Sequence, residues 1–96
     1  MSSTLIALMT PNPDEPEALA AYGDKVPGIL KQNGGKPTDK KVVTEHIAGS
    51  KAPKVITTIE FPTSEALHNF LNSNEYQAMI PVRDKAFTDA TLVICE

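Results

Sequence analysis

The chain has 96 residues, of which 41% are hydrophobic and 22% are charged, and its formal net charge is −3. This length and balance predict a single globular domain over residues 1–96 and exclude a disordered or low-complexity chain. The negative charge argues against binding to nucleic acid or to an anionic membrane surface, because both require a basic face.

Targeting and redox signals are few. No apolar stretch approaches the roughly 20 residues of a membrane span, and the start of the chain does not resemble a secretory signal. The single cysteine, Cys95, allows no disulfide within the chain. We therefore expect a cytoplasmic protein.

The first third of the chain predicts a strand and then a helix. Thr4–Met9 is a short apolar run rich in strand-forming residues. Asp14 is placed to cap the following helix. Pro27 predicts a kink one turn earlier, and the glycines of Asn33–Gly35 predict the end of the helix.

The middle of the chain predicts a loop and two strands. Lys36–Lys41 is polar and poorly patterned, which indicates a loop or a frayed edge. Val42–Ile47 and Lys54–Phe61 have the composition of strands. The turn-rich segment between them, residues 48–53, suits a hairpin.

The last third predicts two helices and a strand. Hydroxyl side chains at Thr63 and Ser64 open one helix. Asn72–Glu75 offers a second cap, so we expect a break before another helix over Asn74–Phe87, bent by Pro81. Thr91–Cys95 is the predicted final strand.

This order, βαββαβ with the second helix divided, predicts a ferredoxin-like α+β fold with a four-stranded antiparallel sheet and its helices on one face. Thr4–Met9 and Thr91–Cys95 are apolar on both sides, so the face without helices would also need cover. Two copies packing sheet against sheet would provide it symmetrically. We therefore expect a homodimer formed through the sheet faces.

Several short motifs resemble the small bacterial family DUF1330. They are Glu60-Phe61-Pro62, Ser64-Glu65-Ala66, Asn72-Ser73-Asn74-Glu75-Tyr76-Gln77, Pro81-Val82-Arg83 and the early Tyr22 helix that ends in Gly34-Gly35. The resemblance covers nearly the whole chain and fits least well at Lys36–Lys41. It implies the dimeric α/β-barrel fold, in which two ferredoxin-like protomers pack their sheets together.

The superfamily that this resemblance implies includes cofactor-free monooxygenases, lactone isomerases, haem-dependent enzymes and amino-acid-sensing domains. DUF1330 itself has no established reaction. The resemblance therefore implies a fold and a dimer but no mechanism.

Arg83 is the only arginine and falls within the apolar stripe of its helix. A guanidinium directed at a core needs a partner, because an unpaired buried charge is costly. Three alternatives follow: an ion pair with Glu60, an anionic group of a ligand, or a side chain that reaches solvent. Arginine suits bidentate binding of an anion better than lysine does.

Four other side chains are candidates for a site. Glu60 could act as a general base if its carboxyl group were desolvated. His46, predicted on a strand, could be a general base or a haem ligand. Tyr22 and Tyr76 lie on apolar stripes and could bring hydroxyls to a ligand, although such residues often serve the core alone.

Other catalytic and cofactor signals are absent from the sequence. No metal-ligand spacing, nucleotide-binding glycine pattern or GxSxG motif occurs, so we expect no metal and no cofactor. We expect Cys95 to behave as a small core residue.

The preferred hypothesis is a protein that binds a small, anionic, partly apolar ligand in a cleft between helices and sheet, with cofactor-independent catalysis as a possible extension. The alternative is a non-catalytic dimeric module for interaction or ligand sensing. A haem enzyme is the weakest hypothesis, since only His46 could ligate the iron.

Overall fold

The computed structural model describes residues 2–96 as a four-stranded antiparallel sheet with three helices on one face. The elements in chain order are β1 (Ser3–Pro11), α1 (Pro16–Gln32), β2 (Lys36–Val42), β3 (Val55–Phe61), α2 (Ser64–Asn72), α3 (Asn74–Ala86) and β4 (Phe87–Cys95). The strands lie in the order β2-β3-β1-β4. The predicted ferredoxin-like α+β fold is thus confirmed, with its second helix divided into α2 and α3.

The start of α1 differs from the prediction. Glu15, not Asp14, occupies the N-cap position, and its side chain makes no capping hydrogen bond. The Asp14 backbone N–H instead donates to Oδ1 of Asn12 over 3.0 Å. Pro16 can begin the helix because the first turn needs no donor there.

α1 ends where the glycines predict. Gly34 adopts the left-handed conformation, with a φ of 83°, which glycine accepts without steric cost. The Gly35 N–H then donates to the Leu30 carbonyl over 2.8 Å and satisfies an acceptor at the end of the helix.

The second strand was predicted in the wrong place. Lys36–Val42 forms β2, whereas the sequence predicted a loop over Lys36–Lys41 and a strand over Val42–Ile47. All seven residues of β2 are exposed, and the strand pairs only with β3. An exposed edge strand needs no apolar face and commonly carries lysine, so it leaves no hydrophobic alternation to detect.

The break between α2 and α3 is confirmed, and a hydroxyl caps each helix. Thr63 Oγ1 accepts the Ala66 N–H over 3.0 Å at the start of α2. Ser73 Oγ accepts the Tyr76 N–H over 3.1 Å at the start of α3. Ser73 Oγ also donates to the Phe70 carbonyl over 2.8 Å, so one side chain joins the two helices.

The last strand is longer than predicted. α3 ends at Ala86, and β4 begins at Phe87 instead of Thr91. β4 pairs antiparallel with β1 over its whole length, with an irregularity near Pro11. Pairing with β1 therefore extends the strand beyond the apolar run that marks it in the sequence.

The inner face of the sheet packs against the helices. β1 alternates strictly, with its inward residues buried. The main core cluster consists of Leu5, Val26, Ile29, Leu30, Ile59, Phe61, Leu67, Phe70, Tyr76 and Met79. No helix in the described part of the chain is both long and apolar enough to cross a membrane.

The other side of the sheet carries no helix. Directly paired residues of antiparallel strands project to the same side. By the registers of β1 with β3 and β4, this outer sheet face includes Thr4, Ile6, Leu8, Ile56, Thr58, Thr91, Val93 and Cys95, with Thr10 and the charged Glu60 and Asp89 toward its ends. Cys95 is exposed here, so the prediction that it belongs to the core is wrong.

Candidate functional site

A cavity of about 490 Å³ lies between α1 and the inner face of the sheet. Its volume falls within the range usual for small-molecule sites. The floor and walls consist of Leu5, Ala7, Met9, Tyr22, Gly23, Val26, Pro27, Leu30, Thr57, Ile59, Phe70, Tyr76 and Leu92, and residues 37–40 of β2 complete the lining. We call this space the helix–sheet cavity.

The apolar lining follows from two periodicities. Alternate residues of β1 point inward and place Leu5, Ala7 and Met9 on the floor. Residues one turn apart on α1 place Tyr22 and Val26 along one wall. The sequence predicts the α1 face correctly, whereas it marks β1 as apolar on both sides and does not distinguish the inner face from the outer one.

The β2 side of the cavity was missed by sequence reasoning. Pro37–Lys40 contributes the most polar part of the lining. Pairing of β2 with β3 shifts between Pro37 and Asp39, which makes an irregularity at Thr38. The adjoining Gly34-Gly35 turn was the available signal, because it directs the chain from the end of α1 back to the sheet.

Two tyrosines and an arginine form a hydrogen-bonded chain at the helical wall. The hydroxyls of Tyr22 and Tyr76 lie 3.1 Å apart. Arg83 donates from Nη1 to the Tyr76 hydroxyl over 3.1 Å. The guanidinium carbon also lies 5.9 Å from the centre of the Tyr76 ring, within range of a cation–π contact.

Aromatic packing holds this chain in position. The Tyr76 side chain is nearly inaccessible, and its ring centre lies 4.6 Å from that of Phe70. Tyr22 meets the Phe87 ring edge to face at 5.3 Å. Tyr22 comes from α1 and Tyr76 from α3, so the hydroxyl pair joins the two helices that flank the cavity.

The electrostatics favour a neutral tyrosine beside a charged arginine. Burial raises the pKa of the Tyr22 hydroxyl, the adjacent Tyr76 hydroxyl raises it further, and the Arg83 charge opposes this only in part. Burial disfavours the charge on Arg83, but the Tyr76 hydrogen bond and nearby Asp84 outweigh it and raise the pKa of the guanidinium. Tyr22 therefore remains a hydrogen-bond donor at neutral pH.

Arg83 approaches the cavity only through Tyr76. It does not line the cavity itself. Its ion pair is with the neighbouring Asp84, 3.6 Å from Nε, and not with Glu60. Of the three alternatives for Arg83, the ion pair with Glu60 does not form. Glu60 lies between Ile59 and Phe61, which both face the helices, so strand alternation turns Glu60 outward.

Glu60 and His46 are both outside the cavity of their own chain. Glu60 is exposed and lies opposite Thr4 and Lys36 in the sheet. His46 was predicted on a strand but lies in the exposed loop after β2, where its Nε2 is 2.7 Å from the Gly49 carbonyl oxygen. Of the five predicted site residues, the fold brings together Tyr22, Tyr76 and Arg83.

A second depression, of about 610 Å³, lies between the start of α1 and the end of α3. It contains several charged side chains, and an ion pair of 3.8 Å between Lys85 and Glu15 crosses it. None of the predicted site residues lines it. Within residues 2–96, no three acidic, histidine or cysteine side chains are grouped to hold a metal ion.

Comparison with known proteins identifies the family. The model of a domain of unknown function, DUF1330, matches residues 5–96. The chain therefore belongs to the DUF1330 family, as its motifs predict. No curated protein matches the sequence.

Solved structures share the fold at low sequence identity. RPA0582 of Rhodopseudomonas palustris, a protein of unknown function, superposes with a TM-score of 0.80 at 20% identity over 98% of this chain and 80% of its own. A dimeric ferredoxin-like protein of unknown function from Thermobifida fusca gives 0.61 at 13% identity over 99% and 90%. SnoaB of Streptomyces nogalater, a cofactor-independent oxygenase, gives 0.69 at 8% identity over 99% and 91%. These likenesses establish the ferredoxin-like fold.

Proposed function

We propose that the protein binds a small, anionic, partly apolar ligand in the helix–sheet cavity. The observation that carries this proposal is an apolar space of about 490 Å³ whose wall includes the hydrogen-bonded tyrosines Tyr22 and Tyr76. A mostly apolar space with a few fixed polar groups is the usual form of a ligand site. The single arginine, Arg83, stands directly behind these hydroxyls and supplies positive charge.

The alternative of a non-catalytic interaction module has less support. A cleft filled by side chains, with Arg83 neutralised by Glu60, would favour it. Instead, the space is present and Glu60 lies on the other face of the sheet. SnoaB shows that this fold can accommodate cofactor-independent oxygen chemistry, but 8% identity transfers no reaction to this chain.

Three probes test the cavity: 4-nitrophenolate, 4-nitrobenzoate and hexanoate, each an anion with an apolar body. We expect at least one to bind saturably and to raise the melting temperature. A ligand at 100 times its dissociation constant adds about 2.7 kcal/mol to the free energy of unfolding. Isothermal calorimetry gives the affinity and the stoichiometry.

A matched pair of glycine substitutions locates the binding. A Cβ added at Gly23 or at Gly28 meets nothing within 4 Å, and both residues lie in α1. Only Gly23 lines the cavity. Gly23→Phe should abolish binding and Gly28→Phe should leave it unchanged; equal effects of the two, or no binding of any probe, would exclude the cavity as the site.

We also infer that two copies associate through the outer sheet face. Its Ile6, Leu8, Ile56 and Val93 side chains are only partly covered within one chain, and Val93 is 40% exposed. Burying apolar surface yields about 25 cal/mol per Å², so a second copy packed here would stabilise both. The dimeric ferredoxin-like protein from Thermobifida fusca has this fold and supports the inference.

A further inference from the structure

The hydroxyls of Tyr22 and Tyr76 together leave one donor for a ligand. A phenol has one O–H donor and two acceptor lone pairs. One donor serves the bond between the two hydroxyls, and Arg83 occupies an acceptor position on Tyr76. Among residues 2–96, the Tyr22 hydroxyl has no other hydrogen-bond partner. Whichever hydroxyl donates to the other, one O–H remains.

Arg83 biases this remaining donor toward a negatively charged oxygen. The Arg83 side chain is about one-fifth exposed, whereas the Asp84 side chain beside it is mostly exposed, and their charged groups lie 3.6 Å apart. A solvated carboxylate neutralises only part of the field that a partly buried cation exerts on a hydroxyl hydrogen-bonded to it. The arginine therefore polarises the Tyr76 hydroxyl, and through it the Tyr22 hydroxyl.

One donor fits one kind of anion. A carboxylate offers about four acceptor sites, and in an apolar space most of them would lose their water without replacement. A phenolate or enolate has one anionic oxygen in place of two and spreads the rest of its charge into its own π system, so it needs fewer donors. The two charged residues of the lining, Asp39 and Lys40, have opposite signs and are both exposed at the β2 rim, where solvent screens their charges.

On the basis of the proposed ligand cavity, we propose that its ligand is a planar, apolar molecule with a single phenolic or enolic oxygen. The hydroxyl pair of Tyr22 and Tyr76 donates to that oxygen. Arg83 is a positioning residue, which favours the ionised form of the ligand through Tyr76 without touching it. The flat apolar body lies against the aromatic and aliphatic walls.

The test uses 4-nitrophenol, which ionises near neutral pH and whose phenolate alone absorbs visible light. Nitrobenzene serves as the matched probe without the phenolic oxygen. We expect the bound phenol to ionise at lower pH than the free one, with the phenolate bound about tenfold more tightly than the phenol. The phenolate should also bind more tightly than 4-nitrobenzoate.

Arg83 acts on the ligand through the Tyr76 hydroxyl, and we call this arrangement the relay. Variants distinguish its effect on the ionisation of the ligand from simple packing. Tyr76→Phe and Arg83→Met should each remove the shift in ionisation and should weaken the binding of 4-nitrophenolate more than that of nitrobenzene. Arg83→Lys should restore part of the shift, because it returns the charge without the fixed guanidinium fork. Nitrobenzene binding reports that each variant keeps an intact cavity, and Tyr76→Phe remains as the test if Arg83→Met does not fold.

The two proposals fail in different ways. If 4-nitrophenol and nitrobenzene both bind but ionisation does not shift, or the shift survives Tyr76→Phe, the relay is overturned and the cavity remains a ligand site. Tighter binding of 4-nitrobenzoate than of the phenolate would also overturn it. If no probe binds, or binding ignores Gly23→Phe, the ligand cavity itself is rejected and the relay with it.

Discussion

The contact between Gly35 and Phe61 makes a sharp prediction about stability. A Cβ at Gly35 would lie 2.8 Å from two carbons of the Phe61 ring and 3.0 Å from Cδ2 of Leu30. Phe61 is 1% exposed, so its ring has no open space into which to move. Overpacking of this kind costs about 1–3 kcal/mol, so Gly35→Ala should lower the melting temperature by about 4–24 °C in a domain of this size.

Gly28→Ala is the matched control with the opposite sign. An added Cβ there contacts nothing within 4 Å, and Gly28 lies inside α1. Alanine in a helix interior gains about 0.5–1 kcal/mol over glycine, which should raise the melting temperature by about 2–8 °C. Thermal unfolding followed by far-ultraviolet circular dichroism, at one protein concentration, measures both. An unchanged or higher melting temperature for Gly35→Ala would refute the close packing of the α1–β2 turn against Phe61.

Three further predictions concern association, ionisation and capping. Val93→Lys should dissociate the dimer in analytical ultracentrifugation. Ile94 is equally exposed but lies on the inner face, so Ile94→Lys should not dissociate it. The reverse result would exclude the outer sheet face as the interface. Because burial raises the pKa of Tyr22 above 10, the unfolded chain ionises first and wild-type stability should fall as pH rises above 10. Tyr22→Phe should reduce this loss of unfolding free energy, which urea unfolding at neutral and alkaline pH measures. An identical loss in wild type and variant would contradict the burial of the Tyr22 hydroxyl. Ser73→Ala should cost about 1 kcal/mol in urea unfolding and Ser50→Ala, in the exposed loop, less than about 0.5 kcal/mol; equal costs would show that the Ser73 cap adds no stability.

Sequence patterns were sufficient for the elements that bury one face. The strand β1, the hydroxyl cap at Thr63 and the break before α3 appear where they were predicted, because local chemistry and tertiary packing agree there. β2 was misplaced since its residues are all exposed, and only pairing with β3 makes Lys36–Val42 a strand. The amino-acid composition of Lys36–Val42 gives no indication of this pairing.

The site was predictable in its parts and not in its connections. Helical spacing places Tyr22, Tyr76 and Arg83 on apolar stripes, but it cannot show that residues 54 positions apart place their hydroxyls 3.1 Å from each other. Strand alternation already directs Glu60 away from the helices, so its expected pair with Arg83 conflicted with a rule that the sequence supports. His46 was expected on a strand over Val42–Ile47, but β2 ends at Val42, so His46 lies in a loop outside the cavity.

Methyl nuclear magnetic resonance most directly tests whether the helix–sheet cavity is the ligand site. The protein labelled at the methyl groups of isoleucine, leucine and valine is titrated with 4-nitrophenolate. The account predicts that the chemical shifts of Leu5, Ile59 and Leu92, inside the cavity, move together with one saturation curve. Shifts confined to Ile6 and Val93 on the outer sheet face, or no saturable shift, would contradict it.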